Sequence, residues 1–599
     1  MVKTGAGSPK SGWTWRDWIA AAALFVATAA VVLWQNAHVA VLWDLSYVLD
    51  SAARIAQGQV PYRDFPFAHA PLTFLIQAAI IRLTGRVFFH HVLYAAVVGG
   101  LSTVLTWRIV LHSLQERLAS AWAVALLLAA PLTVLGIYCI LPLPSYDCDC
   151  GFSILVAVWL LQRIGAEDED TSGPCATREL ARGFIAGVAV CVPLFFKQNI
   201  GLPFLAAAVA AVLVLLCVGL VRRSKTLTAS REVPVLLAVL VGVAATLLVA
   251  VLLLHCTVGL GNYVHWTIQF AAQRRLPGFA DMLGIYHDPS LLWTLPCVAV
   301  ALLLLCTPLA KIRSARIAAL VLLAAPFLFA LYALFLYDDA DERGDSLLAL
   351  WPLLLVLSAA LALFNLVRLR RHLNLGLLLP VVLLVAINGT LMSQQLWGST
   401  YAIWPLLILL IAEMIAFLAA LKPPVPASGA AKQSLAQVMA AVISATLLVC
   451  GGFYTASEER LSYAQLPEGP VEHSTFPQLA GIAVPGPYLP NFEELLRFAD
   501  ANIPANDGVL LLPGEDPFYF VTGRTPQFPV LLFDPATDPF LPTKVVDEAR
   551  QHQTRWLIVK RELQMKEDPT PQREATLKLL LQEFTLSAHL HGYDVYRRR

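Results

Sequence analysis

Charged residues are scarce in this chain. They fill 14% of its 599 positions, where a soluble protein carries about 25%. That shortage excludes a soluble globular protein. An excess of either sign is also missing, since the formal net charge is +1. With no basic stripe to follow a phosphodiester backbone, nucleic acid is excluded as a partner. Paired cysteine motifs are lacking too. None of the ten cysteines sits in a C-x-x-C spacing, which removes the common thiolate metal sites and redox pairs. Most lie in apolar stretches, where a thiol packs as a small hydrophobe. Cys148 and Cys150 stand apart in a polar segment, and a bridge from Cys148 to Cys139 is the one disulfide considered. The apolar stretch 19–33 follows Lys3, Lys10 and Arg16, yet no clean small-x-small cleavage pattern follows it, because Trp34, Gln35 and Asn36 come next. It reads as an uncleaved first span. No internal repeat is detectable.

What is abundant is apolar surface: 58% of residues, with a mean hydropathy of +0.67. The chain reads as an integral membrane protein. A span needs about 20 apolar residues. Thirteen candidates lie near 17–36, 88–110, 118–140, 150–164, 183–197, 200–221, 233–256, 290–309, 316–337, 346–367, 374–392, 401–421 and 433–453. Lys and Arg concentrate in every second connecting loop, for example Arg222, Arg223, Lys225 and Arg231, or Arg368, Arg370 and Arg371. The positive-inside tendency places those loops and the N-terminus in the cytoplasm. The alternation holds only if 71–84 does not cross. That stretch, roughly fourteen residues, is too short to span upright and is expected to lie in the interface or re-enter. The loops 37–87, 145–150, 257–289, 338–345 and 393–400 and everything beyond about 454 are then extracytoplasmic.

The expected fold class is an all-α polytopic membrane domain over 1–453 followed by a small extracytoplasmic α/β domain. Residues 454–490, with Pro485-Gly486-Pro487, read as an irregular linker. Residues 491–599 form the α/β domain. A helix is expected over 491–502, capped by Asn491, with Glu493 and Glu494 in its first turn. Short apolar runs at Val509–Leu512 and Trp556–Val559 predict buried strands. A helix near 571–583 and a strand pair near 584–597 complete it.

The first extracytoplasmic loop, 37–87, concentrates chemistry. Asp44 stands where the chain leaves the first span. Within 44–58, Asp44, Tyr47, Ser51 and Arg54 recur at helical spacing and share one face, while Leu45, Val48, Leu49 and Ala52 fill the other. The helix is expected to lie flat, its polar face towards an aqueous pocket. By spacing alone, Asp44 is equally a helix cap. Tyr62, Arg63, Asp64 and His69 follow within the same loop.

The sequence D-x-x-Y at Asp44–Tyr47, then G-x-x-P-Y-R-D-F from Gly58 to Phe65, then H-x-P-L from His69 to Leu72, resembles the opening of the GT-C membrane glycosyltransferases. The likeness is greatest to family 39-like bacterial enzymes, which include protein O-mannosyltransferases and the aminoarabinose transferase of lipid A. Lys197-Gln198-Asn199 and Arg343-Gly344-Asp345 before Trp351-Pro352 are similar to segments of related members. The resemblance implies an inverting transfer of a sugar from a polyprenyl phosphate donor on the outer face of the membrane. It implies Asp44 as catalytic base, or as the group that orients the acceptor. One departure stands out: aminoarabinose transferases carry a Lys near H-x-P-L that helps hold the lipid phosphate, whereas Phe67 and Ala68 precede His69 here.

The chemistry agrees on physical grounds. An outward-facing transferase needs a lipid-linked donor, because nucleotide sugars are not expected outside the cytoplasm. Its phosphate leaving group needs cations near the interface, and the acceptor needs a base within about 2.6–3.2 Å. Candidate cations are Arg63, Lys197, Arg274, Arg275 and Arg343. Lys197 is equally an interfacial anchor. Tyr47, Tyr62, Asp64, His69 and Asp345 complete the expected substrate-binding set. Asp147 and Asp149, together with Asp44, are candidates for a divalent cation through oxygen ligands, or are solvated loop acids. No cofactor is assigned beyond that cation. Glu413, alone in the span 401–421, is expected to make an interhelical hydrogen bond. The expected partners are the polyprenyl-phosphate-linked sugar, membrane lipid, and an acceptor lipid, glycan or protein. The expected location is a bacterial inner membrane. The alternatives are a lipid or polysaccharide transporter and a non-catalytic envelope assembly protein.

Overall fold

The structure, a computed structural model, describes residues 13–38, 42–164, 175–222, 229–275, 278–336, 347–369, 373–391, 402–421, 429–456, 469–534, 538–563 and 571–599. Twelve of the thirteen expected spans overlap one α-helix each, and 118–140 holds two shorter ones. The first ten helices are α1 (Trp15–Asn36), α2 (Leu42–Ala56), α3 (Leu72–Thr84), α4 (Phe88–Leu114), α5 (Ala121–Ala129), α6 (Leu132–Leu135), α7 (Tyr146–Gln162), α8 (Cys175–Cys191), α9 (Gln198–Arg222) and α10 (Ala229–Thr257). Among the described residues, seven helices of 18 residues or more are apolar enough to cross a membrane. They leave Leu, Val and Ile side chains such as Leu248, Leu252 and Leu253 of α10 exposed. With no polar cover, such faces require lipid, and the chain is a multi-pass membrane protein.

Local chemistry explains where these helices begin and end. Thr14 and Asp17 cap each other reciprocally at the start of α1, satisfying free backbone N–H groups. Pro131 splits the expected span 118–140 into α5 and α6, because proline brings no N–H to the helical ladder. Ser145 caps α7 by accepting the Asp147 N–H, and Asp147 and Asp149 sit in the first turn, where the helix dipole favours negative charge. Helices α8 and α10 touch through glycine. A Cβ at Gly187 would lie 2.1 Å from the Val239 carbonyl oxygen, and one at Gly242 would lie 2.2 Å from that of Phe184. Gly183-x-x-x-Gly187 thus lets two backbones approach, as small residues do between membrane helices.

Helices α2 and α3 form a hairpin outside the row of spans. Phe74, Ala78 and Ile81 of α3 are buried. Arg82 Nε donates to the Ala56 carbonyl at 2.8 Å and Nη2 to that of Ile55 at 3.2 Å, satisfying free carbonyls at the end of α2. Gly85 ends α3 at φ +86°, a conformation that suits a residue without Cβ.

The tail holds a two-stranded antiparallel ribbon, β1 (Val471–His473) with β2 (Ala483–Pro485), and a four-stranded sheet. In that sheet β3 (Gly508–Leu512) runs parallel to β4 (Thr554–Lys560), and β6 (Tyr593–Arg598) lies antiparallel between β4 and β5 (Phe584–His589). Both of its faces are buried: one carries Leu510, Leu512 and Leu557 against Val545 of the helix Pro542–Gln551, the other Val509, Leu511, Trp556 and Ile558.

Four expectations change. The ribbon lies within 454–490, which reads as irregular in sequence; its strands are only three residues long and bounded by proline and glycine, so no alternation announces them. The helix expected from 491 begins at Tyr488, with Pro487 before it. Asn491 is therefore inside the helix, and Glu493 instead accepts from Ser474 and Thr475 at 2.7 Å. Cys139 and Cys148 are buried free thiols, the Cys139 thiol donating to the Thr133 carbonyl at 3.5 Å. Glu413 makes an ion pair of 2.6 Å with Arg117, which follows α4, so its partner is a full charge from a connecting loop.

Candidate active site

The first loop folds into a closed aromatic cluster. Tyr62 adopts φ +69°, which a bulky side chain rarely takes. The conformation is held from three directions. The Tyr62 N–H donates to the Phe65 carbonyl at 3.0 Å, the Tyr62 hydroxyl donates to the His69 carbonyl at 2.6 Å, and its ring meets Phe67 and Tyr263 edge-on. Burial, with Tyr263 and Tyr47 nearby, pushes the Tyr62 phenol well above its ordinary range, so it is a neutral donor. Tyr47 of α2 packs on Phe67, His69 and Phe74. His69 stacks on Tyr146 with ring centroids 4.5 Å apart.

Lys197 enters this cluster from the turn before α9. Its ammonium is ion-paired with Asp147 and lies 5.2 Å from the centre of the Tyr146 ring. Both side chains are largely covered, at 15% and 13% exposure. Gln198 ties the surroundings together, donating at 3.4 Å to the carbonyls of Ala68 and Thr267. Thr267 belongs to a π-helical turn, His265–Phe270, that follows the short helix bearing Tyr263. Three segments remote in sequence therefore meet at one place: the first loop, the start of α7, and the Lys197 turn. The loop around Tyr263 closes one side.

The expected site residues divide accordingly. Tyr47, Tyr62, His69, Lys197 and Asp147 come together. Arg63 and Asp64 do not join them. They pair with each other at 2.8 Å on the loop's exterior, Arg63 being 52% exposed. Asp64 also accepts the Val60 N–H at 2.7 Å, and the Arg63 bond, together with that N–H, holds its carboxyl below the usual range. Asp44 lies in the first turn of α2, one turn before Tyr47 on the same face, and its side chain lies outside the described residues. The side chains of Arg274 and Arg275, which end a short helix, also lie outside them, as do Arg343 and Asp345.

The carboxylates proposed for a cation have other partners. Asp149 accepts hydroxyls from Thr73 at 2.6 Å, Tyr138 at 2.7 Å and Tyr94 at 2.8 Å. Asp147 is occupied by Lys197. Among the described residues, no group of three His, Cys, Asp or Glu is placed to hold a metal. The two carboxylates, as arranged, do not fit a divalent cation between them. Their separation follows from helix geometry, since positions two apart face different sides.

Part of the polar face of α2 turns away from this cluster. Arg54 is 2% exposed. Its Nη1 donates to the Pro529 carbonyl of the tail at 2.8 Å, and its guanidinium lies 4.2 Å over the Phe65 ring. Burial lowers it to about 10, so it stays cationic at neutral pH. Asp50, 4% exposed, accepts the tail N–H groups of Phe520 at 2.7 Å and Tyr519 at 3.3 Å. Burial pushes its carboxyl well above the usual range against the pull of those N–H groups. The aqueous pocket expected along the whole polar face is, at Arg54, a protein interface. Sequence spacing identifies the face but cannot show that main-chain groups cover it. Tyr146 and Phe67 were not singled out in sequence; Tyr146 had one signal, its place beside Asp147.

No protein-family model matches the chain, and no curated protein matches it in sequence. The solved structures it is similar to include the following two. One is ArnT from Cupriavidus metallidurans bound to undecaprenyl phosphate, at 11% identity and a TM-score of 0.49 over 97% of this chain and 98% of that one. Another is the Archaeoglobus fulgidus oligosaccharyltransferase AglB in complex with an inhibitory peptide and a dolichol-phosphate, at 12% identity and a TM-score of 0.43 over 98% of this chain and 75% of that one.

Proposed function

We propose that this protein is an inverting glycosyltransferase that moves a hexosyl or pentosyl group from a polyprenyl phosphate to an acceptor on the extracytoplasmic face of a bacterial inner membrane. The acceptor is a lipid, a glycan or a protein. The observation that carries the reading is the convergence of the Lys197–Asp147 pair and Tyr146 with the first-loop cluster of Tyr47, Tyr62 and His69. A cation is thereby linked through the packed rings of Tyr146, His69 and Tyr47 to the helix that bears Asp44, at a place built in part from the loop that resembles GT-C enzymes.

The chemistry assigns each part a task. Asp44 takes the proton of the acceptor hydroxyl or amine as that atom attacks the anomeric carbon. The bond from this carbon to the phosphate oxygen breaks, the configuration inverts, and polyprenyl phosphate departs. Lys197 stabilises the charge gathering on the phosphate, exchanging its contact with Asp147 for one with the leaving group. Arg274, Arg275 and Arg343 are further candidates for the phosphate. The aromatic walls of Tyr47, Tyr62 and Tyr146 suit a sugar ring and exclude water.

The test uses the full chain in liposomes with polyprenyl-phosphate-linked sugars and an envelope extract as acceptor. Asp44→Asn is expected to express at the parent level and to lose transfer by at least about two orders of magnitude, the span of a general base. Transfer at the parent rate would sink the base assignment.

A further inference from the structure

The catalytic loop is gripped by one stretch of the tail, residues 514–529. Ser46 Oγ donates to the Gly514 carbonyl at 3.3 Å. Asp50 accepts the N–H groups of Tyr519 and Phe520. Arg54 donates to the Pro529 carbonyl, Gln57 to that of Gly523 at 3.1 Å and Gln59 to that of Pro526 at 3.1 Å. From the turn after α3, Arg86 Nη1 donates at 3.0 Å to the carbonyls of Phe520 and Val521. In every one of these bonds the first loop supplies a side chain and the tail a main-chain group. The tail therefore offers the loop a shaped strip of backbone donors and acceptors.

The strip is itself anchored behind. Asp516 is 2% exposed and is held by Lys560 at 2.8 Å, Tyr488 at 2.8 Å and Tyr593 at 2.9 Å. Lys560 also pairs with Glu515 at 3.0 Å. Bonds thus run without a break from β4 and β6 through Asp516 to Tyr519 and Phe520, then through Asp50 into α2. That helix bears Asp44 about 9 Å and Tyr47 about 4.5 Å along its axis from Asp50, at a rise of about 1.5 Å per residue. An error of about 1 Å in such a group lowers rate by about a hundredfold.

We propose that segment 514–529 is a clamp that sets the position of α2, and that Asp50 and Arg54 are positioning residues for transfer. The inference rests on the proposed function in one respect, that α2 carries the base. The clamp is the means by which the tail takes part in chemistry without touching the reacting atoms.

The experiment compares Asp50→Ala with the parent in the full-length protein by two readouts. The first is hydrogen–deuterium exchange of the α2 amides, which reads the clamp whatever the enzyme transfers. The second is steady-state transfer. Exchange in α2 is expected to quicken by about tenfold or more. The value of kcat is expected to fall by about tenfold or more, while KM for the lipid-linked donor stays within about twofold, because Lys197 and Asp147 lie on other elements. Unchanged α2 exchange overturns the clamp, and so does a parent-like kcat. A parallel collapse of kcat and donor KM marks general damage and also overturns it. Should Asp50→Ala fail to fold, Gln57→Ala alone removes the rim bonds to the Gly523 and Arg524 carbonyls, and a graded fall in kcat of about threefold is expected; no fall refutes the proposal. If Asp44→Asn retains transfer while α2 exchange responds to Asp50→Ala, the base assignment has failed and the clamp stands.

Discussion

Lys197 and Asp147 lie 50 residues apart in sequence and neutralise each other in a largely covered site. An ammonium so placed is held ready for another anion, because removing Asp147 would leave a charge with little water to solvate it. The consequence is an affinity prediction. Asp147→Asn is expected to raise the affinity for polyprenyl phosphate by about tenfold and Lys197→Met to lower it by about tenfold, each about 1.4 kcal/mol. Isothermal titration of the detergent-solubilised protein with the lipid measures both. Equal affinity in all three proteins would remove Lys197 from the proposed donor site. Lys197 was legible in sequence as a lone cation at the end of an apolar run. Its carboxylate partner was legible only as a loop acid, since ion pairing across two helix ends leaves no periodic mark. The reverse holds for Arg63 and Asp64, adjacent charges in a motif that the fold spends on closing a turn.

Among the elements, the pair α8 and α10 is the one whose contact depends most plainly on absent side chains. Gly183 and Gly187 sit four apart on α8; Gly183 faces Val235 and Ala238 of α10, and Gly187 faces Val239 and Gly242. Gly187→Leu must displace the Val239 backbone, since its Cβ alone would sit 2.1 Å from that carbonyl. Overpacking of this kind costs about 1–3 kcal/mol. The variant is expected to lower the thermal midpoint in detergent, whereas Gly452→Ala, whose Cβ would meet nothing within 4 Å, is expected to leave it unchanged. Equal midpoints for the two would count against the seam. Existence of the helices could be read from apolar length, because lipid demands it. Their mutual packing could not, because Gly183-x-x-x-Gly187 finds its partner far along the chain. The helix from Tyr488 shows the same limit at its boundary: Pro487 and Pro490 read as linker, yet proline is tolerated in a first helical turn.

At the scale of the whole molecule, the contact between first loop and tail constrains the path through the membrane. Asp50, Arg54, Gln57 and Arg86 all bond the tail directly, so 42–87 and 514–529 lie on one side. Twelve of the thirteen expected spans separate them, an even number, as a shared side requires. Were α3 a further crossing, the number would be odd and the two regions would face opposite compartments. A helix of 13 residues reaches only about 20 Å against a hydrocarbon core of about 30 Å. Length, loop charge and domain contact thus argue separately for an α3 that does not cross. Sequence supplied the first two. The third was out of its reach, because the tail meets the loop with main-chain groups that have no residue identity to read. The proposed orientation rests on Lys and Arg in alternate loops. Fusions of a reporter active only outside the cytoplasm are expected to be silent after residues 112, 168, 225 and 370 and active after 280 and 470. Activity after 112 would mean that α3 crosses. Activity after 112 with silence after 470 would put the first loop and the tail on opposite faces, and the clamp, the shared side and the outward-facing donor site would fall together.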